Sequence, residues 1–95
     1  MIRVNYDRAY AEANRLRNAA EECENIVRQS KQNLADIHMY WEGAAANEFI
    51  AVNENWCREM QSIITELNEV SRLIQKVTDD IREVDTRAAA AAKNA

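Results

Sequence analysis

One glycine, Gly43, and no proline punctuate the 95 residues of this chain. Sheet-rich folds need many tight turns, and tight turns draw on residues that fix φ or tolerate positive φ. A chain with a single such position near its middle can reverse there, and elsewhere it favours unbroken helix. The abundance of Ala, Glu, Arg, Leu and Ile points the same way, to long helices with coiled-coil character. The fold class expected is all-α.

Apolar or small residues at Tyr6, Ala9, Ala13, Leu16, Ala20, Cys23, Val27, Ser30, Leu34, Ile37 and Trp41 alternate spacings of three and four, which is a heptad seam. Asn5 is a suitable N-cap, with Asp7 in the first turn where the helix dipole favours an acid. These signals predict a first helix over residues 5–41.

After the glycine, Phe49, Trp56, Ile63, Val70, Val77 and Val84 recur every seven residues, with Met60, Leu67, Ile74, Ile81 and Ala88 at the alternate position. They predict a second helix over residues 45–88. Asn53 interrupts this seam, either as an edge position near the turn or as a buried register-setting amide. The tail at 89–95 has helix propensity but little to pack, so it is expected to fray. Gly43 is expected to end the first helix, within a turn at 42–44, because the residue past a helix C-terminus often has positive φ. The hairpin is then one domain over 1–95, with Trp41 closing its turn end and Ala9, Ala13 and Ala20 opposite Val77, Ile74 and Leu67.

Apolar residues also flank the two seams: Ala19, Ile26 and Tyr40 in the first helix, and Ile50, Cys57 and Ile64 in the second. A face wider than two positions suits a bundle of more than two helices. The expected architecture is therefore an antiparallel two-helix hairpin that dimerises into a four-helix bundle, with itself or with a related hairpin. Ile26, Tyr40, Ile50, Trp56, Cys57 and Ile64 are the candidates for that packing.

Several function classes fit poorly. The net charge is −4, with six acids and six bases in residues 1–41 against ten and six in 42–95, so nucleic acid is not expected as a ligand. No apolar run approaches the roughly 20 residues that cross a bilayer, and no basic stretch followed by an apolar one opens the chain. A cytoplasmic product is expected, and any export would proceed without a cleavable signal peptide. Arg3, Arg8, Arg15 and Arg17 are interleaved with Asp7 and Glu12, which reads as a solvated face. His38 is the only histidine, too little for most metal sites, and it offers one candidate base near a helix end where a cation is favoured. Glu21, Glu22, Glu24, Asp79 and Asp80 belong to helices of mixed charge. No glycine-rich phosphate loop is present. Neither a cofactor, a metal nor a catalytic constellation is expected, so the protein is read as non-enzymatic. In the hairpin Cys23 lies level with about residue 63, roughly 9 Å along the axis from Cys57, too far for a bridge within one chain. Both are expected as reduced packing residues, with an intermolecular disulfide after export as the alternative.

Trp41, Glu42 and Gly43 between two helices, followed by Ala45 and Phe49, make the pattern WxGxAxxxF in a chain close to one hundred residues. In this the chain resembles the WXG-type family of ESAT-like helical hairpins, the small proteins of type VII secretion systems. The resemblance implies a dimeric four-helix bundle, export in the folded state and recognition by a secretion ATPase. It implies that Trp41 and Gly43, with Ala45 and Phe49, serve the export motif as well as the turn. The YxxxD/E signal often found after the second helix in exported members is missing, since tyrosine occurs only at positions 6, 10 and 40. That departure leaves three expectations: a partner hairpin supplies the signal, the chain is a targeting chaperone for a larger toxin, or its system reads a different tail. A dimeric scaffold that stays inside the cell is the alternative.

Overall fold

The computed structural model describes residues 3–94. Helix α1 spans Tyr6–Ala35, a short 3-10 turn follows at Ile37–Met39, and helix α2 spans Ala44–Asn94. The helices run antiparallel in a rod of 78 × 15 × 15 Å.

Asn5 caps α1 as its sequence context predicts: its Oδ1 accepts from the Arg8 amide at 3.1 Å, and its carbonyl accepts from the Ala9 amide at 3.0 Å. The other end departs from expectation. Regular helix stops at Ala35, six residues before Trp41, and the chain tightens into the 3-10 turn. Ile37 stays enclosed against the hairpin within this turn. The Trp41 amide then donates to the Ile37 carbonyl at 2.8 Å and closes the turn.

Gly43 does not end α1. It is the residue that launches α2: its φ is +107°, and its carbonyl accepts from the Asn47 amide at 3.1 Å. A Cβ built at this position meets nothing within 4 Å, so the backbone angle alone requires glycine.

The α1 seam is as the spacing predicts from Tyr6 to Ile37, with Ala13, Ala20, Val27 and Ile37 fully enclosed. The α2 seam is rotated from the predicted one. The column that faces α1 is Ile50, Cys57, Ile64, Ser71 and Thr78, beside Met60, Leu67, Ile74 and Ile81. The predicted column leaves Phe49, Ile63, Val70, Val77 and Val84 exposed. Helix α2 carries three adjacent apolar columns, and two contact α1. Ser71 fits inside because its hydroxyl donates to the Ala13 carbonyl at 2.7 Å, and Thr78 because its hydroxyl donates to the Ile74 carbonyl at 2.6 Å. Ala13 therefore lies opposite Ser71 rather than Ile74. Ala20, Val27, Cys57 and Ile64 form one apolar cluster, with Cys23, Trp56, Met60 and Leu67 packed against it. Asn53 is half-buried and donates to the Phe49 carbonyl one turn back at 3.0 Å, so its amide is satisfied locally and sets no cross-helix register.

Helix α2 outruns α1. Beyond Ile81 every described residue is exposed, and the alanine-rich stretch is helical to Asn94; Ala95 lies outside the described residues. From Asp85, which meets Tyr6 at the start of α1, the overhang reaches about 13 Å.

Candidate functional site: the turn motif and a one-sided apolar face

Trp41, Gly43, Ala45 and Phe49 come together at the turn. The Trp41 and Phe49 ring centroids are 5.2 Å apart with planes inclined at 43°, a tilted aromatic pair that spans the reversal. Phe49 lies on the second turn of α2, which Gly43 starts, so the glycine's angle sets the direction from which Phe49 meets Trp41. Trp41 remains 39 % exposed and Phe49 44 %, so the pair covers the turn without being sealed in it. Ala45 is exposed in the first turn of α2. Its neighbour Ala46, fully enclosed at 0 %, is the small residue that lets α2 approach the turn, and the motif pattern passes over it. Met39 and Tyr40 extend the exposed patch around the tip.

The two flanks of the hairpin differ. On one, a groove near the turn is lined by Ser30, Asn33, Ile37, Tyr40, Phe49 and Asn53. Stepping by sevens from Phe49 along this flank gives Trp56, Ile63, Val70, Val77 and Val84, and from Tyr40 back along α1 gives Asn33, Ile26 and Ala19. The opposite flank carries a groove lined by Lys31, Leu34, Glu54, Cys57, Arg58 and Gln61. The same stepping there gives Glu24, Arg17, Asn68, Arg72 and Gln75. The exposed side chains of Phe49, Ile63, Val70, Val77 and Ile26 fall on the first flank, and this exposed stripe is a candidate docking surface.

Of the residues expected to pack against further helices, Ile26 and Tyr40 are exposed on the apolar flank, and Trp56 is half-buried at its edge. Ile50 is half-buried within the seam. Cys57 and Ile64 are corrected: each is 3 % exposed inside the single hairpin, because the rotated α2 seam turns them onto α1. The residues that replace them on the flank are Phe49, Ile63, Val70 and Val77, which the sequence reading assigned to the inner seam. Ser71 and Thr78 were missed as core, although they continue by sevens from Cys57 and Ile64. Both cysteines are free thiols.

At the open end, the Tyr6 hydroxyl donates to Asp85 and the Tyr10 hydroxyl to Asp79, while the Arg82 guanidinium lies 5.8 Å from the centre of the Tyr6 ring. Each phenol is held above its ordinary pKa, first by its hydrogen bond to the carboxylate and then by desolvation. Exposed pairs within one helix, such as Lys76 with Asp80 at 2.9 Å, add little.

Fold and site together define a small all-α hairpin with an aromatic–glycine turn and one unpartnered apolar flank. A family model described as proteins of 100 residues with WXG matches residues 1–86, and the chain belongs to this WXG100 family. Its members are small proteins secreted by type VII systems without signal peptides, typically pairing with each other or with related proteins. No curated protein and no solved structure matches the chain. Among the described residues no helix is long and apolar enough to cross a membrane.

Proposed function

We propose that this hairpin is a type VII secretion substrate or co-secreted adaptor, exported as a folded assembly with a second hairpin and recognised by the secretion ATPase. Its work is recognition rather than catalysis. The observation that carries the reading is the exposed column Phe49, Ile63, Val70 and Val77 beside Ile26, on one flank of the rod. Burying such a column contributes roughly 25 cal/mol per Å² of apolar surface, and only another apolar helical face of similar length covers all of it. The second hairpin is a copy of this chain or a relative, and the assembly is a four-helix bundle.

In this reading Trp41 and Gly43 act together. Gly43 aims α2, and the half-exposed Trp41–Phe49 pair offers a rigid aromatic surface at the tip for the machinery to read. Export is tested by blotting the extracellular fraction of cells that carry the system. Wild type is expected outside the cell and Trp41→Ala retained inside it, with the variant's helical circular dichroism intact. Equal retention of both refutes export.

The same exposed column fits a second reading, in which the chain stays in the cytoplasm as a scaffold or targeting chaperone for a larger toxin whose own hairpin covers the apolar flank. Pull-down from the same cells separates the two, because the chaperone reading requires a larger partner and no extracellular pool.

A further inference from the structure

Different chemistry holds the two halves of the hairpin. From Ala20 and Ile64 to the turn, contact is apolar and enclosed through Val27, Cys57, Ile37 and Ala46. From Ala13 and Ser71 to the open end, the enclosed residues are Ala13, Ser71 and Thr78, which bury little apolar surface. Every side-chain hydrogen bond between the helices, among the described residues, belongs to this open half: Tyr6 to Asp85, Tyr10 to Asp79, Ser71 to the Ala13 carbonyl at 2.7 Å, and Arg17 to Gln75 at 3.1 Å.

We propose that the open half is a polar latch that separates as a unit while the turn half stays closed. Local opening is easiest where few apolar contacts are lost and where the backbone is exposed to solvent. Exposed hydrogen bonds exchange with water at small net cost, so Tyr6, Tyr10 and Arg17 hold the end less firmly than the Val27–Cys57–Ile64 cluster holds the rest. The groups facing each other across the latch are Tyr6 and Tyr10 on α1 and Asp79, Arg82 and Asp85 on α2. Opening frees the α2 surface of Ser71, Ile74, Thr78 and Ile81, which α1 covers in the closed form. That surface is continuous with the α2 overhang, and once the two sides of the latch separate each released segment loses the packing that holds it helical and frays. The latch is a property of the hairpin itself and stands whether or not the protein is exported.

Hydrogen exchange followed by mass spectrometry on the full chain, in the assembly state it adopts at working concentration, tests the latch. Amides of residues 10–17 and 71–82 are expected to exchange at least about tenfold faster than those of 20–34 and 57–67, with a step between the halves rather than a gradual gradient from the helix ends. The double variant Tyr6→Phe/Tyr10→Phe keeps both rings and should accelerate exchange in the open half alone. Ile64→Val is the reciprocal control and should accelerate the turn half while leaving the open half at its wild-type rate. Equal protection in the two halves overturns the proposal, as does an acceleration by the tyrosine variant that spreads over both halves or is absent from both.

Discussion

The indole of Trp41 rests against the ring of Phe49 across the turn, centroids 5.2 Å apart. Two residues eight positions apart in sequence meet because Gly43, with φ +107°, aims α2 back along α1. The motif thus acts as one mechanical unit, with a backbone hinge and two rings that register its angle.

The coupling within that unit is measurable. Since both rings are partly exposed, Trp41→Ala should cost less than the 3–5 kcal/mol of a fully buried aromatic, on the order of 1–2 kcal/mol. A double-mutant cycle with Phe49→Ala should return a coupling of about 0.5–1.5 kcal/mol. Denaturant midpoints of the four proteins supply the numbers, and strict additivity would show that the rings do not support each other.

Gly43→Ala isolates the backbone requirement, because an added methyl meets nothing within 4 Å. The expected loss is about 1–2 kcal/mol, arising from the positive φ. Urea unfolding measures it. A neutral substitution would mean that the turn relaxes to another conformation at no cost.

The α2 register makes opposite demands on neighbouring columns. Ile64 is enclosed in the hairpin, so Ile64→Ala should lower stability by about 2–5 kcal/mol at every protein concentration. Val70 and Val77, each 46 % exposed, act through assembly, so Val70→Ala and Val77→Ala should lower the thermal midpoint only where a second hairpin is bound, with the effect fading on dilution. If Val70 behaves like Ile64, the rotated seam is wrong.

The open end carries a pH signature. Hydrogen bonds to Asp85 and Asp79 favour the neutral phenols of Tyr6 and Tyr10 and raise both pKa values above the ordinary tyrosine range. A folded-state pKa that is raised contributes stability fully present below the unfolded value and lost as pH rises through the folded one. The latch should therefore hold at neutral pH and weaken in strong alkali. Ultraviolet titration of tyrosinate should show two phenols ionising late, and Asp79→Asn and Asp85→Asn should each bring one of them earlier.

Much of this was legible in the heptads. Along α1 the narrow stripe from Tyr6 to Ile37 left one possible inner face, so periodicity identified it. In α2 three apolar columns adjoin, and periodicity measures the width of a face without saying which part turns inward. The larger valines of the outer column drew the assignment, while Ser71 and Thr78 could sit inside because carbonyls on Ala13 and Ile74 take their protons. The end of α1 was illegible as well. No glycine or proline stands between Ala35 and Trp41, so nothing local marks where regular helix gives way to the tighter turn. At Gly43 the sequence identified the residue that must have positive φ but assigned it to the wrong helix.

Native mass spectrometry of the protein purified from the cells that make it addresses the apolar flank most directly. The account predicts that the 10.9 kDa chain is found with one more hairpin of comparable mass, itself or a relative, and that Val70→Glu/Val77→Glu releases it. A wild-type chain recovered alone at tens of micromolar, with its apolar column open to water, would contradict it.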